Sequence, residues 1–357
     1  MPKIRAAVLR KRGGPLKIET LEMEEPRADE VLVRLNATGI CHTDIDFLDD
    51  WHGPPVVLGH EGAGVVERVG KSVKGVKCGD HVVLSYQSCG KCTQCRAKSP
   101  ADCELFYEAN FAFARLDGTN ALASSNVSGH FFGQSSFATF ALATRRNLVK
   151  VSKDLPLEVL SPLGCSMQTG AATILNSLKV AKGEGVAVFG TGAVGLAAVM
   201  AARIAKADPI IAIDKNPARL KLALELGATH AIDNRREDAA SRISGIAGSG
   251  VDYALEITGD PGVYRLAVSV LKPRGVVALI ASPGGAGSLK GGRKAVGIIQ
   301  GGAVPQRFIP RLVRLWRGGK FPFDRLIRFY DFREINRAIA DARRGKTIKP
   351  VLRICPV

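Results

Sequence analysis

Long apolar runs are missing from this chain of 357 residues. Nothing in it approaches the roughly 20 consecutive apolar residues of a bilayer-spanning helix. The opening residues, MPKIRAAVLRKRGG, lack the apolar core of a signal peptide. The expected compartment is therefore the cytoplasm, where thiols stay reduced. Internal repeats and low-complexity tracts are absent too. Acids are scarce beside bases: 33 Asp and Glu stand against 50 Lys and Arg, a formal charge of +17. Yet the cations form no block. They occur as short pairs such as Arg145-Arg146, Arg235-Arg236 and Arg343-Arg344, and the densest series, Arg307, Arg311, Arg314 and Arg317, falls on a predicted helix. Such scatter describes a solvated face better than a nucleic-acid patch, and a basic field also favours an anionic cofactor. Neither nucleic acid nor a membrane is expected as a partner.

What is present is an ordinary globular composition, 46% hydrophobic and 23% charged, in a chain too long for one hydrophobic core. Two domains are expected. Residues 1 to about 155 read as all-β, with short β-branched runs (IRAAVL, VLVRL, GAGVVERVG, HVVLS) broken by Gly, Pro and Asp. From about 165 to 300 strand and helix alternate. VAVFG precedes the helical AVGLAAVMAARIAK; IIAID precedes NPARLKLALELGA, which has Pro in its first turn and Gly at its stop. This alternation predicts a parallel, doubly wound sheet. From about 300 the pattern predicts helices over 307–316 and 333–343 and a closing strand, IKPVLRI, that rejoins the first domain.

Three groups of residues carry chemistry. Gly39 to Gly64 is rich in turn formers and holds Cys41, His42, Thr43, Asp44, Asp46, His52, His60 and Glu61. Thiolate with imidazole is a zinc ligand set, and a catalytic zinc keeps three protein ligands, so Cys41 and His60 would need a third from elsewhere. Cys165, in SPLGCSMQTGAA at the junction of the two textures, is the candidate. Cys89, Cys92, Cys95 and Cys103 follow C-x2-C-x2-C-x7-C and can close on one metal. Structural zinc is the expectation; an iron–sulfur cluster also takes four thiolates, and disulfides are disfavoured by compartment. Finally, Gly190-Thr-Gly192-Ala-Val-Gly195 follows a strand and opens a helix, and Asp214 ends the next strand. This arrangement predicts a dinucleotide site in which the carboxylate meets the ribose and favours NAD over NADP. Cys78, Cys355, His81, His130 and His230 suggest no ligand role.

Together these motifs resemble the zinc-dependent medium-chain alcohol dehydrogenases over essentially the whole length. Cys-His-Thr-Asp at 41–44, Gly-His-Glu at 59–61, the four-cysteine loop, Cys165 and the fingerprint at 190–195 carry the likeness. FFGQSSFATFALA (131–143), SPLGCSMQTGA (161–171), PFDRLIRFYDFREIN (322–336) and GKTIKPVL (345–352) are most similar to the aryl (benzyl) alcohol dehydrogenases. The resemblance implies an α/β chain: a GroES-like β-rich catalytic domain over 1–166 and 300–357, and a Rossmann doubly wound parallel sheet over 167–299 that binds NAD. It implies two zincs. Cys41, His60 and Cys165 would hold the catalytic one, backed by Asp44 and Glu61; Cys89, Cys92, Cys95 and Cys103 would hold the structural one. Thr43 would bond the substrate oxygen and pass on its proton. His42 and Lys349 would face the NAD pyrophosphate, Thr169 and Val194 the nicotinamide, and Arg219 the adenosine ribose beside Asp214, with Gly190, Gly192 and Gly195 forming the phosphate turn. Trp51, Phe131 and Phe132 would line the substrate wall, left roomy by Ser85. The expected reaction oxidises primary aromatic or allylic alcohols to aldehydes by hydride transfer; aliphatic alcohols, polyols or a formaldehyde–thiol adduct are the alternatives. A homodimer or homotetramer is expected. In one place the chain departs from the family's better-known members: Asp46 stands where their proton relay ends in His.

Overall fold

The computed structural model describes residues 2–280 and 286–354 and divides into two compact units. Cys355 lies outside the described residues. The first unit takes in residues 2–165, 304–313 and 324–354, and the second 166–303 and 314–323. Residues 166, 300–303 and 314–323, expected with the first domain, cluster with the second.

The first unit is built on two sheets. A three-stranded antiparallel sheet runs Lys17–Glu22, Lys3–Leu9, Val56–Val57. The larger sheet runs Ile327–Asp331, Lys349–Arg353, Glu30–Gly39, Glu61–Val69, His81–Leu84, Leu148–Val151, with Phe140–Thr144 also paired to Glu30–Gly39. The C-terminal strand does rejoin this unit, with Val351 opposite Gly39. Glu30–Gly39 is mostly buried, as suits a strand with neighbours on both edges. Its register places Gly39 opposite Glu61, which brings the chain segments that follow and precede those residues side by side. A β-carbon at Gly39 would lie 2.0 Å from Glu61 Oε2, so a larger residue there would displace the Glu61 carboxylate.

One expectation for this region needs correcting. Residues 1 to about 155 are not all-β: His42–Asp50 is a nine-residue helix. Its start is a capping box, in which the Asp44 carboxylate accepts from the Cys41 backbone N–H at 2.9 Å. That reciprocal cap overrides the turn propensity of four aspartates.

The second unit is a sheet of seven strands among the described residues. The order is His230–Asp233, Ile210–Asp214, Val186–Phe189, Val251–Glu256, Leu271–Leu279, Lys294–Gly297, Gly287–Ser288. All neighbours are parallel except the last pair. The first six strands follow the 3-2-1-4-5-6 order of the Rossmann fold, whose switch point lies beside the first strand, here Val186–Phe189. That strand is buried at all four residues, as a central parallel strand must be. Helix Ala193–Ala205 follows it, with Gly192 as N-cap and no side-chain cap. Helix Pro217–Leu226 is capped by the Asn216 side chain.

Candidate metal centre and nucleotide loop

The antiparallel pairing of Glu30–Gly39 with Glu61–Val69 delivers Cys41 and His60 to the same place, and the turn Ser161–Gly164 delivers Cys165. Gly164 is obligatory for that delivery, because a β-carbon there would meet Leu84 O at 2.0 Å. Ser85 Oγ donates to Gly164 O at 2.6 Å and ties the turn to the sheet. The two sulfurs and one imidazole nitrogen lie within 4.8 Å of one another, and all three residues are buried.

Asp44 organises the imidazole. Its Oδ1 bonds His60 Nδ1 at 3.0 Å and the Gly59 N–H at 3.0 Å. Nδ1 therefore carries the proton, and Nε2 is left as the ligand atom. Nε2 is buried without a hydrogen-bond partner; such an orphan costs free energy unless something coordinates it. The field around Nε2 seeks a cation, a proton when no metal is bound and a metal ion otherwise. The Cys41 thiol is held well below its ordinary value, first by its hydrogen bond with Cys165 and then by His60 and Lys349. Burial works against charge on His60, but Asp44 and Cys41 outweigh it and raise the imidazole to about 10. Two thiolates, one imidazole and a cation-seeking field fit a zinc ion, with one position left open.

Lys349, expected at the NAD pyrophosphate, is instead buried beside Glu61. Its Nζ donates to Glu61 Oε1 at 3.0 Å, to Oε2 at 2.9 Å and to Ile40 O at 2.9 Å. These are all the donors an ammonium has. Thr43 Oγ1 sits 3.9 Å from Cys41 Sγ. His42 is exposed and pairs with Asp46 at 3.3 Å, one turn along the helix. His52 lies near Asp50.

An aromatic wall stands against His60. Phe132 lies flat on the imidazole, with centroids 4.3 Å apart and planes at 19°, and Phe131 meets it edge-on at 5.4 Å. His130 and Phe132 both have positive φ, at 62° and 52°. Such strain persists only where the surroundings impose it. Trp51 does not touch His60 directly; it packs on Phe113 and Phe47, and these rings meet Phe131. Sequence reasoning missed Phe47, Phe111 and Phe113. It also missed Gln134, whose amide accepts from Gly62 N–H and donates to His60 O and Ser85 O, clamping the backbone behind the ligand. The odd frequency of Phe at 106–113 was a signal for the rings; nothing marked Gln134.

The four-cysteine loop closes as expected. Cys89, Cys92, Cys95 and Cys103 place their sulfurs within 4.8 Å of one another, with Cys89–Cys95 at 4.0 Å and Cys92–Cys103 at 3.9 Å. Sulfurs at about 2.3 Å from one tetrahedral centre stand about 3.8 Å apart, whereas a disulfide needs about 2 Å. Backbone N–H groups of Cys89, Cys92 and Cys95 point at ring sulfurs, and the Cys95 N–H leads in drawing the Cys92 thiol down to about 6.

In the second unit, Gly190 has φ 98° and a β-carbon at Gly195 would stand 1.9 Å from Gly190 O. A β-carbon at Gly192 would have nothing within 4 Å, so the ground before the helix N-terminus is open to a pyrophosphate. Asp214 is paired to this turn through Thr191, and Arg219 lies on the next helix with Nε unpartnered. Gly170 packs against Val194, where a β-carbon would meet Val194 O at 2.0 Å; Thr169 is its neighbour in the chain. These residues fit a dinucleotide.

A Rossmann sheet with an open phosphate turn and a buried Cys2His cluster define a metal-dependent, nucleotide-binding oxidoreductase. Comparisons with known proteins narrow the class. Residues 27–153 match the alcohol dehydrogenase GroES-like domain and residues 193–303 the zinc-binding dehydrogenase domain. Geraniol dehydrogenase of Castellaniella defragrans is 46% identical over 97% of this chain and 96% of its own. An alcohol dehydrogenase zinc-binding domain protein from Burkholderia ambifaria is 49% identical with a TM-score of 0.95, over 99% and 100% of the chains. Benzyl alcohol dehydrogenase of Acinetobacter calcoaceticus is 45% identical, also at 0.95 and the same coverage. The chain belongs to the zinc-dependent medium-chain alcohol dehydrogenases. Its cofactors are zinc and NAD, and both cysteine clusters are consistent with catalytic and structural zinc. No helix among the described residues is long and apolar enough to cross a membrane.

Proposed function

We propose that the chain oxidises primary aromatic or allylic alcohols to aldehydes with NAD, at a centre held by Cys41, His60 and Cys165. Zinc bound there supplies a Lewis acid that lowers the pKa of the alcohol hydroxyl. The chain's own residues do the rest. Asp44 keeps the His60 proton on Nδ1, so Nε2 stays a ligand. Thr43, beside Cys41 on the first turn of its helix, takes the hydroxyl proton. Asp46 lies three residues on, on the same helix face, and is the carboxylate that receives it. Asp46 is exposed and pairs with His42 at 3.3 Å, so a proton that reaches it can pass on to solvent. Gly190, Gly192 and Gly195 take the pyrophosphate, and Asp214 the adenosine ribose. Cys89, Cys92, Cys95 and Cys103 hold the second zinc.

The observation that carries the substrate class is the aromatic wall on His60, formed by Phe131 and Phe132 and backed by Phe47, Phe111 and Phe113. We take Phe132, which lies on the His60 ring, as the border of the substrate site, where a planar or isoprenoid group gains apolar contact and ethanol almost none. Burying a ring contributes roughly 2 kcal/mol or more, which is about 30-fold in kcat/KM. The relatives named for geraniol and benzyl alcohol support the same class. A panel of benzyl alcohol, geraniol, ethanol, sorbitol and S-hydroxymethylglutathione, read as NADH absorbance, tests it. Benzyl alcohol or geraniol should lead ethanol by at least that factor. Preference for the glutathione adduct or the polyol would replace this reading.

A further inference from the structure

The fingerprint needs its glycines, but the residue between the first two is free to vary in the motif, and here it is Thr191. Thr191 is completely buried. A buried hydroxyl is costly unless it is hydrogen-bonded, and valine would fill the same space without that cost. The hydroxyl has one partner with a clear purpose: Thr191 Oγ1 donates to Asp214 Oδ2 at 2.8 Å. The Thr191 backbone N–H donates to the same oxygen at 2.7 Å. The other oxygen, Oδ1, accepts only the Asn216 N–H, at 2.9 Å, among the bonds described for it.

The backbone makes this pairing possible. Ile213 lies opposite Phe189 in the parallel ladder, and Gly190 N–H donates to Ile213 O at 2.9 Å. Thr191 and Asp214 therefore leave the ends of adjacent strands side by side. An ionised carboxylate only accepts, so the direction of all three bonds is fixed, and of its roughly four acceptor positions about one stays open on Oδ1. Lys215 and Arg219 follow within five residues, and both are cations that would welcome a phosphate. Discrimination against NADP then depends on where the Asp214 charge is held.

We propose that Thr191 is a positioning residue for cofactor selection: its hydroxyl locks the Asp214 carboxylate with Oδ1 turned to the adenosine ribose. This rests on Asp214 being the ribose partner. The lock keeps a negative charge where a 2′-phosphate would have to sit, and it removes the rotation that would let Lys215 or Arg219 neutralise the carboxylate.

The test is a double-mutant cycle on the zinc-loaded protein, read as dissociation constants for NADH and NADPH by fluorescence titration, with thermal midpoints alongside. Thr191→Val removes only the hydroxyl, Thr191→Ser keeps it, and Asp214→Ala removes its partner. Thr191→Val should weaken NADH roughly tenfold, the size of one hydrogen bond to a charged group. It should also shrink the NADPH-to-NADH ratio of dissociation constants, while Thr191→Ser behaves as the parent. In the Asp214→Ala background, Thr191→Val should add nothing. An unchanged NADH constant and ratio in Thr191→Val overturns the proposal, as does an equal loss with and without Asp214, or a lower thermal midpoint with an unchanged ratio. If Asp214→Ala itself leaves the ratio unchanged, the ribose reading falls first and takes the proposal with it.

Discussion

Lys349 and Glu61, 288 positions apart, form a fully buried ion pair directly behind Cys41 and His60. Burial works against the charge on Lys349, yet Glu61 outweighs it and raises the ammonium; burial leads in raising Glu61. The pair belongs to the frame of the metal centre. Removing one partner strands the other charge in the interior, at a cost of about 3–5 kcal/mol. Lys349→Met should therefore lower the thermal midpoint and loosen zinc, measured by competition with a chelator. A variant that keeps stability and zinc and loses only NAD affinity would return Lys349 to the pyrophosphate.

His130 sets an acid limit. Burial, seconded by Arg115, pushes its imidazole down to about 3, and its Nε2 accepts the Ala121 N–H at 3.2 Å. Its folded value lies below the unfolded value near 6.5, so the unfolded chain binds the proton first. Stability is fully present above about pH 6.5 and is lost as pH falls toward 3. One unperturbed proton per unfolded chain removes about 2 kcal/mol between pH 6.5 and pH 5. Denaturant melts of the parent and His130→Gln across that interval should differ in slope, the variant being flatter. Parallel slopes would show that other groups govern the acid limit.

In the proposed relay Asp46 receives the proton from Thr43. Asp46→Asn keeps the shape and removes the acceptor. Alcohol oxidation should slow at neutral pH and recover with rising concentrations of a small buffer base, which can collect the proton directly. A rate indifferent to both the substitution and the buffer would mean that the proton leaves through water.

The four-cysteine loop has almost no apolar core of its own, so metal should supply its stability. Cys95→Ser should leave one zinc per chain by elemental analysis and lower the thermal midpoint, with the remaining zinc at the other centre. Two zincs retained in Cys95→Ser would separate this residue from the metal.

Residues that act through local spacing were legible in the sequence. The phosphate turn, the four cysteines and the Cys41–His60 segment announce themselves, because a metal or a pyrophosphate demands particular atoms at short chain separations. The parallel sheet was legible for a related reason: central strands such as Val186–Phe189 are buried on both faces and read as unbroken apolar runs. Contacts made by tertiary closure were not. Nothing near Lys349 in sequence points to Glu61, and nothing in FFGQ indicates that His130 and Phe132 take left-handed backbone to lay a ring on His60. Helix His42–Asp50 was hidden for a different reason, since its aspartates favour turns until Asp44 is spent on a cap. The run 314–323 sits with the second unit although the chain on both sides of it belongs to the first; periodicity shows that a helix exists but not which core it packs on.

The central claim is that Cys41, His60 and Cys165 share one zinc on which alcohol oxidation depends. Zinc content and NADH formation measured together on Cys165→Ser test it most directly, because Cys165 comes from a segment over 100 residues from the other two. The account predicts a fall from two zincs to one per chain, loss of benzyl alcohol and geraniol oxidation, and an unchanged fold by circular dichroism. Two zincs with undiminished turnover would contradict it.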